Sequence, residues 1–303
     1  MTSQRVAITG ATGYLGSVLS DHVSNRGDEV IALTRRRPQG AASEWRHFEL
    51  GRDVDRAILH DVDTLIHAAW VLSGKDTGQL WRENVIGSRR LIEAAVTAGV
   101  KQVVFVSSMS AYFGTRQAYG LMKLAVERTA LDMGCIVVRP GLIYGESPGG
   151  MAGTLRKISG LPLWPRFKSA KLFLAHEDDV AHAIATVIDH YDELSGEVIG
   201  LANPRSVDLP SIFAGLSPEQ KRRTSLPVPA GPVMAALRLL EVAGVPFPFR
   251  SDSLLGLIEA VDVLPGQECL ARHGVDFRSV GSRHQPQVVR RIGRRKTAVE
   301  LQV

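Results

Sequence analysis

The sequence has only two cysteines, Cys135 and Cys269, among its 303 residues. That excludes a disulfide framework and a cysteine-based zinc site. No stretch reaches the ~18 uninterrupted apolar residues that a membrane-spanning helix needs. Residues 6–8 are too short an apolar run, and too soon followed by glycine, to read as a secretory leader. The nine histidines show no His-x-x-x-His spacing or carboxylate pairing, so there is no metal motif. No repeat is visible. The chain reads as a cytoplasmic, enzyme-sized protein with no membrane partner.

Charge of one sign is also scarcer than it first looks. The formal net charge is +5, which on its own would suggest a polyanionic partner. Residues 279–303 hold six Lys/Arg (Arg283, Arg290, Arg291, Arg294, Arg295, Lys296) against Glu300, so residues 1–278 carry 30 bases and 30 acids. The body is neutral and the excess is a terminal tail. No recognition motif or aromatic-interleaved basic surface supports nucleic-acid binding.

What is present is ordinary globular material, 45% hydrophobic and 22% charged. Apolar runs at 6–9, 30–33, 64–67, 103–107, 136–138 and 198–201 alternate with helical patterns at 15–26 and 83–98. Such alternation predicts a parallel sheet covered by helices. After about residue 139 proline and glycine cluster, and helices are predicted over 233–243 and 252–263. The expected architecture is α/β, a doubly wound parallel sheet with a smaller, irregular C-terminal lobe for substrate. Residues 1–160, with 171–200 returning to them, should form the nucleotide domain, 201–278 the lobe and 279–303 a basic tail.

The first predicted strand runs into Thr9-Gly-Ala-Thr-Gly-Tyr-Leu-Gly16. Gly10 suits a tight turn, Gly13 lets backbone N–H groups approach a pyrophosphate, and Gly16 lets helix and strand pack closely. This strand–turn–helix context makes Gly10, Thr12, Gly13, Tyr14, Leu15 and Gly16 candidates for cofactor binding. At the end of the second strand, folds that prefer NAD carry an acid for the ribose 2′-hydroxyl. Here Thr34 is followed by Arg35, Arg36 and Arg37, so NADP is expected over NAD, with guanidinium groups pairing a 2′-phosphate. Downstream, Tyr119 and Lys123 sit four residues apart, on one face of a helix. A neighbouring ammonium favours a phenolate, as acid–base work at neutral pH requires.

Thr9–Gly16, His67-Ala-Ala, Asn84, Ser107-Ser108, Tyr119-x-x-x-Lys123 and Arg139-Pro-Gly occur in one order. Over residues 5–200 that ordered set resembles the extended short-chain dehydrogenase/reductase family, which includes the NAD-dependent epimerase/dehydratases. The resemblance implies a Rossmann fold and an NAD(P)-dependent enzyme with a small-molecule substrate. Tyr119 would be the acid/base, Lys123 the residue holding the nicotinamide ribose, and Ser108 the serine bonding the substrate oxygen. Ser110 is the reserve for that serine, and counting back from Gly114 would point to Met109. Asn84 would play the family's supporting role, Asp53 and Val54 would contact adenine, and Ala68, Ala69 and Pro140 would line the cofactor. A homodimer paired through helices near 83–98 and 119–131 is also implied.

Nucleotide-sugar members of that family read Arg-x-x-Asn-x-Tyr-Gly, with the Asn holding a diphosphate. This chain has Leu142 at the Asn position, which favours an oxidoreductase acting on a carbonyl or hydroxyl group. The alternatives are a nucleotide-sugar epimerase/dehydratase using transient hydride transfer, and a non-catalytic NADP-binding structural or sensor protein. Each key residue also has a plainer reading: Asn84 as a backbone cap, Asp53 as a surface turn acid, and Arg35–Arg37 as a solvated loop. Trp70, Trp164, Phe247 and Phe249 read either as pocket lining or as core.

Overall fold

The apolar run opening the chain forms β1 (Arg5–Thr9). Val6 and Ile8 pack into one apolar cluster while Ala7 packs into another. That alternation is the period of a strand buried on both faces. The computed structural model describes residues 3–38, 44–146, 149–168, 170–217, 223–245, 247, 249–259 and 261–280. Of the basic tail, only Ser279 and Val280 fall within the described residues, and the expectation for the rest lies outside them.

After β1 come α1 (Tyr14–Asn25), β2 (Glu29–Thr34), β3 (Glu44–His47), a short 3-10 turn (Arg56–Leu59) and β4 (Thr64–His67). Next, α2 (Thr77–Trp81) passes through a π-helical turn (Arg82–Ile86) into α3 (Gly87–Thr97). β5 (Gln102–Val106), α4 (Ala118–Asp132) and β6 (Ile136–Pro140) follow. The chain then enters the lobe through β7 (Leu142–Tyr144), α5 (Gly150–Ser159), β8 (Trp164–Arg166), β9 (Lys171–Leu172) and β10 (Leu174–His176). It returns to the sheet with α6 (Glu177–Asp189), α7 (Tyr191–Leu194) and β11 (Val198–Leu201). The last elements are β12 (Val207–Asp208), α8 (Leu209–Leu216), β13 (Ser225–Pro227), α9 (Ala230–Val242), α10 (Ser251–Ile258) and α11 (Gln267–Arg272).

The main sheet has the order β3-β2-β1-β4-β5-β6-β11, and all of its pairs are parallel. Strand order reverses between β1 and β4, and ligands of open α/β sheets bind at the carboxyl ends of strands around such a switch point. One apolar cluster joins α1 and α6 to a face of this sheet through residues such as Leu19 and Ile184. The other joins α3 and α4 to the opposite face through Leu91, Ile92 and Val126. The doubly wound α/β architecture is therefore present.

The lobe has its own core of Leu155, Trp164, Phe213, Leu237 and Leu254. Two segments cross the expected boundary between domain and lobe. Leu155 of α5, inside the range 1–160, packs into the lobe core. Leu270 of α11, inside the range 201–278, packs back into the α1/α6 cluster. Both follow from burial, since each helix has an apolar stripe that meets an apolar surface only there. The expected helix 252–263 is shorter, with α10 ending at Ile258.

Candidate active site

The glycine turn is built as its spacing requires. Gly10 has φ +69, and a Cβ there would lie 3.0 Å from the Ala69 Cα. A Cβ on Gly16 would fall 2.0 Å from the Gly10 carbonyl oxygen, so only glycine lets α1 start this close to the turn. α1 has no side-chain cap and no acid in its first turn. The N–H groups of Tyr14, Leu15 and Gly16 therefore open the helix without intrahelical acceptors. A helix N-terminus left in this state suits a phosphate anion, and Thr12 and Gly13 are exposed beside it. The residues present fit the pyrophosphate of a dinucleotide.

Thr9 ties the turn to β4. Its Oγ1 accepts N–H bonds from Ala68 (3.1 Å) and Ala69 (3.0 Å) and lies 2.7 Å from His67 Nδ1. With those bonds accepted, the Thr9 hydroxyl donates to the histidine. His67 is fully buried, and burial, reinforced by the Lys123 charge, pulls its pKa down to about 3. It is neutral at physiological pH, and its Nε2 has no hydrogen-bond partner.

At the end of β2, Thr34 is buried; its hydroxyl donates to the Arg36 carbonyl oxygen (2.8 Å) and accepts from Trp45 Nε1 (3.1 Å). The chain thereby turns outward, leaving Arg35, Arg36 and Arg37 exposed. Asp53 is also exposed and pairs with Arg90 at 3.2 Å, while Val54 packs partly against the α3/α4 cluster. Asn84 forms a closed pair with one residue: its Oδ1 accepts from the Val71 N–H (2.7 Å) and its Nδ2 donates to the Val71 carbonyl (2.9 Å). It clamps the loop that follows β4.

Across that loop lie the candidate acid–base residues. Tyr119 stands in the first turn of α4, and the Ser108 side chain acts on its hydroxyl. Ser108 Oγ also accepts the Ser110 N–H at 3.1 Å. Ser110 itself presses its carbonyl against Gly120, where a Cβ would lie 2.2 Å away. Of the candidate serines, Ser108 is the one whose side chain acts on the phenol, and Met109 packs toward the α1/α6 cluster. The Met109 N–H donates to the Pro140 carbonyl (3.0 Å), which holds this strip against the end of β6.

Lys123, one turn after Tyr119, is buried; its Nζ donates to the Val106 carbonyl (2.7 Å) and sits 3.7 Å from the Trp70 ring centroid. Burial pulls its pKa down to about 7, against the opposing pull of the Glu127 carboxylate. The expected depression of the tyrosine by this lysine is not what the structure has. Burial dominates and pushes Tyr119 up to about 12, with Ser108 opposing it. The Lys123 Nζ is bonded to Val106 and lies over the Trp70 ring, 5.9 Å from the Tyr119 ring centroid. The Tyr119 hydroxyl therefore keeps its proton at neutral pH.

Two features escaped the sequence reading. Glu127, on the same face of α4 one turn beyond Lys123, receives Arg139 through both its oxygens (2.8 and 2.6 Å) and also accepts from Ser107. This is a bidentate, nearly dry ion pair joining α4, β5 and β6. The available signal was the four-residue step from Lys123. The second is Asp252 of α10, whose Oδ1 accepts the Ala118 N–H at 2.8 Å and so caps α4 just before Tyr119. No local pattern marks a cap 134 residues away. Trp164 is lobe core, Phe249 packs partly on that core, and Phe247 is exposed.

Glycine turn, parallel sheet and the strip carrying Ser108, Tyr119 and Lys123 define the class: a Rossmann fold with a turn fitted to a dinucleotide. The sequence model of the NAD dependent epimerase/dehydratase family matches residues 6–202, and the chain belongs to that family. A ceramide reductase of Caulobacter vibrioides is 31% identical over 188 residues, 58% of each chain. A dTDP-6-deoxy-L-talose 4-dehydrogenase (NAD(P)(+)) of Kitasatospora kifunensis is 31% identical over 173 residues, 48% of this chain and 54% of that one. The aligned region thus spans a little over half the length of these curated relatives. The crystal structure of gox2253 shares the fold, with a TM-score of 0.71 at 21% identity over 92% of this chain and 94% of the other.

Proposed function

We propose that this enzyme is an NADP(H)-preferring reductase of a carbonyl group on a substrate that carries no nucleotide diphosphate. The observation that carries the reading is the pairing of Ser108 with Tyr119 one helical turn before Lys123, with the Tyr119 hydroxyl held protonated by burial. Bound NADPH supplies the hydride. The chain's own residues do the rest. Ser108 orients the substrate oxygen, Tyr119 delivers the proton from its hydroxyl, and Lys123 would hold the nicotinamide ribose. The turn Gly10–Gly16 would hold the pyrophosphate, with Ala68, Ala69, Asn84 and Pro140 around the cofactor and Asp53 and Val54 toward adenine. Arg35 and Arg36, exposed beyond Thr34, would pair the 2′-phosphate that selects NADP over NAD.

The substrate side is apolar. Leu142 is half-buried and packs with Tyr144 and Met151 against the lobe core, so it offers no hydrogen bond to a diphosphate. The similarity to a ceramide reductase supports a lipid-like carbonyl or hydroxyl substrate. Pairing of two copies through the outer faces of α3 and α4, where Val96 and Leu121 are exposed, is the quaternary arrangement we propose. The test is NADPH oxidation against a panel of aldehydes and ketones that includes long-chain keto lipids. Consumption of NADPH with one of these is the expected result. Interconversion of a UDP- or dTDP-sugar without net cofactor change would overturn the reading in favour of an epimerase or dehydratase. Tight NADPH binding with no turnover of any substrate would also overturn it.

A further inference from the structure

We propose that α9 and the loop after it dock this enzyme on the surface of an anionic lipid bilayer. Within the lobe, α9 is apolar on much of its outer side as well as on its inner one. Its inner side sets Val233, Met234 and Leu237 against the lobe core. Pro232, Ala235, Ala236, Leu239, Val242 and Ala243 recur at three- and four-residue steps and are all exposed. Leu239 is 70% exposed and Val242 87%, and beyond the helix Val245 and Phe247 are exposed at 48% and 52%. Of the two charged residues of α9, Glu241 is turned to α10, where it accepts the Ser251 N–H (2.8 Å) and hydroxyl (2.7 Å). Arg238 alone adds charge to the solvent side. A helix with this pattern is ordinarily covered.

Charge identifies what covers it. Residues 149–176 and 223–250 together carry eight Lys/Arg and one acid, Glu241, although the body as a whole is neutral. Lys157, Arg166, Lys168 and Arg238 have no carboxylate partner among the described residues. Arg166 lies at the end of β8, which pairs with β13 just before α9 begins, and Leu163 and Leu226 are exposed beside it. The described chain ends at Val280, which packs against Gly215 of α8. Six further Lys/Arg follow it in the sequence. Apolar side chains flanked by unpaired cations match a bilayer with anionic headgroups. A second copy meeting this face about a two-fold axis would set cation against cation.

The face also adjoins the acid–base group. α9 is fastened to α10 through Glu241, and α10 caps α4 beside Tyr119 through Asp252. Docking would therefore hold the lobe side of the site toward the lipid. That this serves catalysis rests on the function proposed above, but the docking itself does not.

The experiment is flotation of the full chain, without cofactor, with vesicles of phosphatidylcholine alone or with about 30 mol% phosphatidylglycerol. The expected result is binding to the anionic vesicles at least about tenfold stronger than to neutral ones. The double variant Leu239→Glu, Val242→Glu should lose about tenfold or more of it, and a chain ending at residue 280 should lose part of it. Both substituted side chains point to solvent, and unchanged NADPH binding and circular dichroism check that the variants are folded. Absence of vesicle binding, or binding indifferent to the double variant, would overturn the proposal. So would sedimentation showing that the double variant turns a dimer into a monomer while vesicle binding persists. NADPH oxidation with a soluble carbonyl reads the proposed activity separately, so the two can fail independently.

Discussion

Removing the Glu127 carboxylate should destabilise the fold more than any loss of exposed charge could. Its side chain is 3% exposed, and that of its partner Arg139 is 17% exposed. The two Arg139 hydrogen bonds, the Ser107 hydroxyl and the Coulomb attraction on Lys123 all converge on this one group. In Glu127→Ala, Arg139 remains as a largely buried cation with no anion beside it, and Lys123 loses the charge that favours its ammonium form. Breaking a buried pair from one side costs about 3–5 kcal/mol, several times the ~0.2–1 kcal/mol of an exposed pair. Glu127→Gln keeps an acceptor and should lose roughly half as much, on the order of 2 kcal/mol. The double variant Glu127→Leu, Arg139→Met removes both charges and should be more stable than Glu127→Ala alone. Lys123, already low, should fall further in every variant that lacks the carboxylate. Equilibrium urea unfolding at neutral pH, with m held constant, reads these differences. A loss under 1 kcal/mol in Glu127→Ala, or a double variant less stable than the single one, would refute the reasoning.

Three further outcomes follow from the site. Gly16→Ala places a methyl 2.0 Å from the Gly10 carbonyl oxygen, so the helix must shift; NADPH affinity, read by fluorescence titration, should fall at least about tenfold. Arg35→Glu with Arg36→Glu should weaken NADPH about tenfold or more while leaving NADH nearly unchanged, and equal weakening of both would remove the 2′-phosphate assignment. His67 stays neutral in the fold with a pKa of about 3, against 6.5 when unfolded. Between those values the unfolded chain takes up a proton that the fold refuses. Stability should therefore fall as pH drops from 6.5 toward 3, by roughly 1.4 kcal/mol per unit. Urea titrations at several pH values should show that slope reduced in His67→Asn.

Much of this was legible in the chain because it is local. The strands of the sheet are continuous Val/Ile runs, and the glycine turn needs only eight consecutive residues to declare its geometry. Tyr119 and Lys123 are one helical turn apart, and Ser108 precedes them on the same strip. β3 was invisible for the opposite reason. Its Glu-Trp-Arg-His has no apolar run, and it forms a strand by pairing with β2 and by setting the Trp45 indole on Thr34. The Glu127–Arg139 pair and the Asp252 cap depend on which elements meet in space, which no spacing records. The direction of the Tyr119 shift was hidden in the same way. Sequence places a lysine one turn from the phenol, but only the packing shows that Val106 and Trp70 occupy the ammonium.

In the proposed reaction Tyr119 hands the proton to a carbonyl oxygen held by Ser108. Single-turnover oxidation of bound NADPH by a carbonyl substrate, in the parent and in Tyr119→Phe, tests it most directly. The phenyl ring keeps the shape and the Trp70 contact (5.8 Å between centroids) and removes only the hydroxyl. NADPH should bind with near-parental affinity while the oxidation rate drops by about 10²–10⁴. Oxidation in Tyr119→Phe at close to the parental rate would contradict the account.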